Sequence, residues 1–301
     1  MNLQKVKQIG ISHSKLSIFR SGCKKKFWFT LNNWYNPNSS VFKNALFGNL
    51  CHYISEKCQE DKSINAFVKL CREYQQKNDH ELISVDPQDV ENDIGLAAIT
   101  MHEYYEHHKF YTDYTVIKNE LYLKRLKIMD YAFNIKIDKV LQHKKTGEIW
   151  ILDHKCKSRV NIDTLIKKIR IDQQLQLYKK GFETAYHTKI AGVMWDIIRK
   201  SSLRMTKKDT GIDTFMERVK DDIKKRPEWY FNLIPIRSEL LDTKSFDSDL
   251  NNTMSELYSC LEQGEIAFCK NTDVCETPFL CDFLDACTSN SMNLYLQRYK
   301  K

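Results

Sequence analysis

The chain has 301 residues, of which 42% are hydrophobic and 29% charged. This composition is typical of a globular protein, and the length suffices for one large domain or a domain with an appended lobe. No apolar run approaches the roughly 20 residues that span a bilayer, and the first ten residues lack the apolar stretch of a signal peptide. We therefore expect a cytoplasmic protein with reduced cysteines. Lysine and arginine (47) exceed aspartate and glutamate (39) by 8, which suits a polyanionic partner.

Helical spacing dominates the first third of the sequence. Residues 14–35, 43–59 and 63–110 place apolar side chains three or four positions apart, as on the buried side of a helix. Ser14 is a candidate N-cap for the first of these segments, because its hydroxyl can accept a hydrogen bond from a first-turn amide. Few glycines and prolines interrupt the chain, so long ordered elements are expected.

The pattern changes to strands at about residue 115. Residues 114–126, 131–143 and 148–158 predict three strands, and a polar segment with Gly147 predicts that the last two form a hairpin. The remaining predictions, in chain order, are a helix over 161–186, a strand over 190–202, a helix over 213–226, an extended segment over 230–238, a helix over 247–266 and a cysteine-rich tail. This order is not a regular strand–helix alternation, so it indicates an α/β fold with a mixed sheet.

The predicted hairpin brings two carboxylates and an amine together. Asp153 and Lys155 are two positions apart on a strand and therefore share one face of the sheet. Folding about residues 143–147 places Asp138 roughly opposite residues 152–153. Two aspartates are suitable ligands for Mg²⁺ or Mn²⁺, and a lysine can orient water or stabilise charge on a phosphate. The trio suits phosphodiester hydrolysis, although a solvent-exposed ion pair is the alternative reading of Asp153 and Lys155.

The residues around this trio resemble the PD-(D/E)XK nuclease superfamily. Ile-Asp-Lys-Val at 137–140 and Ile-Leu-Asp-His-Lys at 151–155 are similar to its active-site hairpin, and more narrowly to that of the RecB-like branch. This branch includes the AddB nuclease domain and the CRISPR-adaptation exonucleases. Ile137 stands where the proline of the family name would be.

Further segments resemble the same branch in the same order. Ser14 to Cys23 resembles its first helix and leading cysteine. Gly48 to His52 resembles its Gly-x-x-x-His helix, and Gln174 to Tyr178 its Gln-x-x-x-Tyr helix. The stretch from Gly192 to Phe231 is similar to single-domain phage-type members. The resemblance runs from about Ser14 to Cys287, which implies a restriction-endonuclease-like core and a bacterial or phage-infected host cell.

The resemblance also implies roles for individual residues. Asp138 and Asp153 would be metal ligands, Lys155 the catalytic lysine and His52 an additional metal ligand. Glu120 matches an acidic position that helps to build the site. Gln174 and Tyr178, one helical turn apart, would contact DNA or support the lysine. A packed histidine and an ordinary helix interface are the structural alternatives.

The cysteines of the tail suggest a second metal centre. RecB-like iron–sulfur nucleases hold a 4Fe-4S cluster with one N-terminal and three C-terminal cysteines, which here implies Cys23, Cys275, Cys281 and Cys287. The trio lacks the Cys-x-x-Cys of better-known members, and Cys269 is a competing ligand. Structural zinc is the fallback cofactor.

Together these features predict a single PD-(D/E)XK nuclease domain over residues 1–301. We expect a helical insert at about 53–112, a nuclease core at 113–235 and a cysteine-rich C-terminal iron–sulfur lobe at 236–290 that closes on Cys23. The expected function is a Mg²⁺- or Mn²⁺-dependent deoxyribonuclease, an exonuclease acting on DNA ends or single strands. The alternative is a catalytically silent DNA-end-binding or assembly subunit with the same fold. No P-loop motif is present, so any helicase would be a separate partner. A recombination protein is the other partner considered, beside DNA itself.

Basic and aromatic residues near Cys23 are candidate DNA contacts. Lys24, Lys25 and Lys26 could contact phosphates, and Trp28, Trp34 and Tyr35 could stack on bases. Solvated lysines and core aromatics are the ordinary alternative for each.

Overall fold

A mixed sheet forms the centre of the protein. The structure is a computed structural model that describes residues 3–37, 39–58, 60–107, 110–276 and 280–297. Within these residues the strands are β1 (Ile11–Ser12), β2 (Trp34–Tyr35), β3 (Tyr114–Ile128), β4 (Tyr131–His143), β5 (Ile149–Lys157), β6 (Gly192–Arg199), β7 (Phe231–Arg237) and β8 (Leu296–Gln297). The helices are α1 (Leu3–Ile9), α2 (His13–Arg20), α3 (Lys24–Leu31), α4 (Ser40–Lys57), α5 (Ile64–Lys77), α6 (Asp79–Leu82), α7 (Pro87–His107), α8 (Phe110–Asp113), α9 (Ile162–Lys168), α10 (Gln173–Tyr186), α11 (Ile212–Lys225), α12 (Pro227–Tyr230), α13 (Thr243–Gln263) and α14 (Leu284–Ser289).

The main sheet is built around β4. Its strands follow the order β1-β4-β5-β6-β7, and β3 pairs with β4 in addition. β5 and β6 are parallel, as are β1 and β4, whereas the other pairs in this sheet are antiparallel. The predicted α/β fold with a mixed central sheet flanked by helices is therefore confirmed.

One edge of β4 is shared by two strands and leaves a gap between them. β3 pairs along the length of β4. On the other edge, β1 pairs with Phe133 and Asn134, and β5 begins to pair at Lys139. In the described residues the intervening positions, which include Asp138, have no strand partner on this edge. The side chain of Asp138 can therefore accept hydrogen bonds from backbone amides that would be paired with carbonyl groups if the strand pairing were continuous.

Apolar cores cover both faces of the sheet. One contains Leu16 from α2, Phe27 from α3, Leu177 from α10 and Leu257 from α13. The other contains Leu50 from α4 together with side chains of α5, α7 and α11. Because α13 packs in the same core as α2 and α10, this helix belongs to the body of the fold. α4 continues without a break across residue 53, where the insert was expected to begin.

The N-terminal helical segment is two helices, and its predicted cap is wrong. Ser12 caps α2: its hydroxyl accepts a hydrogen bond from the Lys15 amide at 3.4 Å. Ser12 ends β1 with an extended backbone, which aims its side chain at the first turn, while Ser14 already lies inside the helix. The break before α3 comes at Gly22, whose φ of +125° suits only glycine.

The other predicted elements are confirmed with shifted ends. The hairpin of β4 and β5 has its turn at Gly147, as expected. The predicted helix over 161–186 is divided between α9 and α10 by a short 3-10 turn at 169–171. The predicted helical region 63–110 contains α5, α6 and α7; its residues 108–109 lie outside the described residues. No helix in the described part of the chain has the length and apolar character to cross a membrane.

Candidate active site

Asp138 lies at the gap in the β4 edge. Its Oδ2 accepts a hydrogen bond from the backbone amide of His154 at 2.8 Å. The regular pairing of β4 with β5 ends just before this point, at Lys139 and Leu152. The carboxylate therefore takes the place of a ladder carbonyl and lies beside the residues that follow on β5, including Asp153.

A histidine and two carboxylates converge at this position. One ligand atom each of His52, Glu120 and Asp138 lies within 4.8 Å of the others, and we call these residues the metal-candidate cluster. His52 Nδ1 is 3.5 Å from Asp138 Oδ2. In the part of the chain that the structure describes, this is the one group of three or more such ligands. Imidazole and carboxylate donors suit a divalent cation, so the residues fit one.

Glu120 reaches the cluster through an unusual backbone conformation. Asn119 pairs with Lys139 and Leu121 with Ile137, so Glu120 lies opposite Asp138. Its φ is +51°, a left-handed conformation that costs a non-glycine residue about 1 kcal/mol or more. Such strain persists only where the surroundings impose it. Lys136 forms an ion pair with Glu120 and helps to hold it there.

Asp153 and Lys155 form a second, adjoining group with α10. Lys155 Nζ lies 2.6 Å from Asp153 Oδ2 and donates to Gln174 Oε1 at 2.6 Å. Gln174 in turn donates through Nε2 to Asp153 Oδ1 at 3.2 Å and to the Tyr178 hydroxyl at 2.7 Å. The amide thus holds both charged groups at once. His52, Asp138, Asp153, Lys155 and Gln174 all border one open pocket.

Burial shapes the charge of these groups. It raises the pKa of Asp153, which the neighbouring Lys155 opposes. It also raises the pKa of Glu120, against the effect of Lys136. The pKa of Lys155 is raised: burial lowers it, but the opposite effect of the adjacent carboxylates, chiefly that of Asp153, is larger. Burial, with His154 nearby, lowers the pKa of His52 to about 4. His52 is therefore neutral near pH 7 and keeps a lone pair for a cation.

A buried network behind the pocket fixes the helix that carries His52. Ser55, one turn further along α4, lies 3.0 Å through its Oγ from His154 Nε2. His154 Nδ1 is 2.8 Å from Asp196 Oδ2, and the Tyr104 hydroxyl donates to the same oxygen at 2.6 Å. Serine, histidine and aspartate in this order resemble a hydrolase triad. Their exposed fractions of 4%, 3% and 0% leave no access for a substrate, so the network acts as an anchor.

Two further contacts hold the end of α4. The buried Lys139 donates through Nζ to the Ser55 carbonyl at 3.1 Å and to Asn119 Oδ1 at 3.0 Å. Asn119 donates to the Glu56 carbonyl at 2.8 Å. Ser55, His154, Asp196, Lys139 and Asn119 are called the anchor network below. Sequence reasoning missed it, although Ser55 lies three residues after His52 and hence on the same helix face.

Four cysteines border a separate pocket at the C-terminal end of the chain. Cys23, Cys275, Cys281 and Cys287 are the same four that the resemblance implied. Cys23 caps α3 by accepting from the Lys26 amide at 3.5 Å, and the Cys281 amide donates to the Cys275 carbonyl at 2.7 Å. Cys269 is exposed and does not border this pocket.

The basic and aromatic residues near Cys23 have different environments. Lys24 and Lys25 form ion pairs with Glu256 and Glu265. Trp28 packs against Phe268, with ring centroids 4.8 Å apart, so it belongs to the core. The remaining three, which are Lys26, Trp34 and Tyr35, border a second groove, and Lys26 also borders the four-cysteine pocket.

The site as a whole brings the metal-candidate cluster together with a buried carboxylate, Asp153, and an amine, Lys155, at an open pocket on an α/β sheet. The chain's residues 10–288 match the family model of the PD-(D/E)XK nuclease superfamily, and the chain belongs to that family. Membership implies a metal-dependent nuclease that binds DNA. A search of curated proteins found no match.

Proposed function

We propose that this protein is a DNA exonuclease of the RecB-like branch. The observation that supports it best is the proximity of two groups: His52 and Asp138 of the metal-candidate cluster border the same open pocket as Asp153 and Lys155. His52, Glu120 and Asp138 would hold a Mg²⁺ or Mn²⁺ ion, with Asp153 completing the set. When bound, this ion would polarise the scissile phosphate and make a water more acidic.

The protein's own residues supply orientation and charge. Lys155 is held by Asp153 and Gln174 and remains an ammonium, so it acts as a hydrogen-bond donor toward a phosphate oxygen or the attacking water. Gln174 and Tyr178 position that lysine. His52 is kept neutral by burial and by the nearby His154, which spares a proton loss when a cation binds.

A cleavage assay tests the proposal. With Mn²⁺ or Mg²⁺, wild type should degrade linear DNA from its ends and leave covalently closed circles intact. Asp153→Asn and Lys155→Met should each slow cleavage at least about a hundredfold while DNA binding persists. Matched controls are Asp130→Asn and Lys145→Met, because both residues are exposed and lie outside the pocket.

Two outcomes would contradict it. If wild type binds DNA ends but cuts no DNA form with any metal, the chain is a silent end-binding or assembly subunit. If closed circles are cut as fast as linear DNA, the protein is an endonuclease. Substrates labelled at either end, single- and double-stranded, report polarity and strand preference in the same assay.

We also propose that Cys23, Cys275, Cys281 and Cys287 hold a 4Fe-4S cluster, which would join the chain ends within a single domain spanning residues 1–301. The observation that supports this proposal is that all four cysteines border one pocket. Four thiolates are the usual ligand set of such a cluster, and structural zinc is the alternative occupant. Brown protein containing iron would support the cluster, whereas colourless, anaerobically purified protein with stoichiometric zinc would exclude it.

A further inference from the structure

An aromatic groove lies beside the candidate active site. Its relevant members are Trp34, Tyr35, Phe42, Lys15 and Lys26, and we call this set the aromatic groove. The Tyr35 and Phe42 rings meet edge to face, with centroids 6.0 Å apart. Trp34 and Tyr35 form β2 and pair with β8, which gives the two rings a fixed support. All three aromatic side chains are only half buried.

The helix α4 connects this groove to the metal-candidate cluster. Phe42, Ala45, Asn49 and His52 are spaced by three, four and three residues, so they lie on one face of α4. Phe42 borders the groove, and the other three border the active-site pocket. Ten residues at 1.5 Å each separate Phe42 from His52 by about 15 Å along the helix.

The charges near the groove favour an anionic occupant. Lys24, Lys25 and Lys26 are consecutive, but the first two are neutralised by Glu256 and Glu265. Lys26 instead lies between the groove and the four-cysteine pocket and borders both. Among the described residues it makes no ion pair with a carboxylate within 4 Å. Lys15 lies in the same groove. Asp282 is the acidic residue of the lining, and it is hydrogen-bonded to the Ser39 hydroxyl at 2.5 Å.

We propose that the aromatic groove binds the bases of a single DNA strand whose phosphates continue along α4 into the active site. Half-buried rings beside a lysine suit unpaired bases, because every base offers a π-face and the lysine offers a phosphate contact. A duplex hides those faces between its own base pairs. About 15 Å corresponds to about four stacked nucleotides at 3.4 Å each, so the groove acts at that distance from the scissile phosphate.

The inference rests on the proposed function, but its test measures binding without cleavage. Fluorescence anisotropy without added divalent metal would compare labelled single strands of three and twelve nucleotides with a twelve-base-pair duplex. Trp34→Leu keeps apolar volume and removes the indole. It should weaken binding of the twelve-nucleotide strand about five- to a hundredfold. It should leave the duplex nearly unchanged, because a duplex places no unpaired base in the groove. The trinucleotide is too short to span about 15 Å, so it should bind wild type more weakly than the twelve-nucleotide strand does.

Neighbouring lysines supply a matched control. Lys26→Ala should lower the slope of log affinity against log salt by about 0.7, the value for one phosphate contact to a single strand. Lys25→Ala removes the same charge one residue away and should leave the slope unchanged. Tyr186→Leu, an aromatic residue 41% exposed and outside the groove, controls for Trp34→Leu. Thermal unfolding verifies that each variant is folded. If Trp34→Leu proves to be unfolded, the comparison of Lys26→Ala with Lys25→Ala still tests the groove.

Different failures give different results. If wild type cuts no DNA, the proposed function is wrong, but the anisotropy measurements still show whether the aromatic groove binds single-stranded DNA. If wild type cuts DNA but Trp34→Leu and Lys26→Ala behave as their controls do, the groove assignment alone is wrong. Equal weakening of duplex and single strand would overturn the single-strand assignment. Unchanged DNA binding together with loss of a protein complex would indicate a protein partner instead.

Discussion

At the scale of single residues, Glu120 lies opposite Asp138 with a left-handed backbone, and an ion pair with Lys136 helps to hold it there. Asp138, Asp153 and Lys155 are predictable, because strand alternation and a hairpin turn place them together. Glu120 was expected only from the family resemblance to help build the site. Its approach to His52 and Asp138 depends on a left-handed φ of +51°, and no local sequence rule predicts that conformation for a glutamate inside a strand.

Glu120→Gln should separate cation binding from folding. The change keeps the size of the side chain and removes a carboxylate that would hold the cation. The variant should need at least about tenfold more Mn²⁺ for half-maximal cleavage. Without metal it should be at least as stable as wild type, because burial disfavours the charged form of Glu120, as its raised pKa indicates. Metal titrations of activity and of thermal unfolding measure both effects.

Glu262→Gln on the exposed side of α13 is the control, and it should change neither quantity. A Glu120→Gln variant with the Mn²⁺ requirement of wild type would remove Glu120 from the cation site.

At the scale of elements, α4 is the part that organises the site. Its helical character follows from sequence periodicity, and so does the buried side that carries Leu50. The attachment of α4 to the sheet through the anchor network does not follow from periodicity. It depends on the contact of His154 with Asp196, and these two residues are neighbours only because of the parallel register of β5 and β6. Parallel pairing joins segments about 40 residues apart, and the sequence specifies neither the partner nor the register. The anchor network therefore became visible only with the fold.

Ser55→Ala should loosen α4 and weaken the site that it supports. The change leaves His154 Nε2 buried without its partner, which costs about 1–3 kcal/mol of unfolding free energy. Because His52 lies one turn away, the Mn²⁺ concentration for half-maximal cleavage should also rise, whereas kcat at saturating Mn²⁺ should be largely retained. Urea unfolding and Mn²⁺-dependent rates measure the two effects.

A purely structural role for Ser55 would lower stability without changing the Mn²⁺ dependence below the unfolding range. Ser259→Ala on the exposed face of α13 is the matched control. Equal behaviour of the two variants would show that the hydroxyl of Ser55 is not an anchor.

At the scale of the whole molecule, the described N-terminal and C-terminal segments meet. β2 pairs with β8, the Lys25 amide donates to the Cys269 carbonyl at 3.0 Å, and Phe27 stacks near Phe268 with centroids 5.9 Å apart. The resemblance to RecB-like iron–sulfur nucleases implied this closure, and the four-cysteine pocket lies at the same junction. The pairing of β2 with β8 was not predicted, because two-residue strands leave no pattern in a sequence.

Cys281→Ser should release this junction if the pocket holds the proposed cluster. We expect loss of iron and of visible absorbance, a lower unfolding temperature, and faster proteolysis after residue 264. Cys269→Ser should change none of these, because its thiol lies outside the pocket. The two variants are compared as anaerobically prepared proteins by iron analysis, absorbance spectra and limited proteolysis. A Cys281→Ser protein that retains its full iron content would contradict the ligand assignment.

The contact between α3 and the C-terminal segment determines when this part of the core can form during synthesis. α3 leaves the ribosome early, but its ring partner Phe268 follows 241 residues after Phe27. At about 5–20 residues per second, the wait is roughly 10–50 s. During that interval the apolar side of α3 has no partner from the C-terminal segment and is open to chaperones or to other nascent chains. A premature stop codon anywhere upstream of Phe268 would therefore leave an N-terminal region that cannot complete its core, however much of the central sheet has formed.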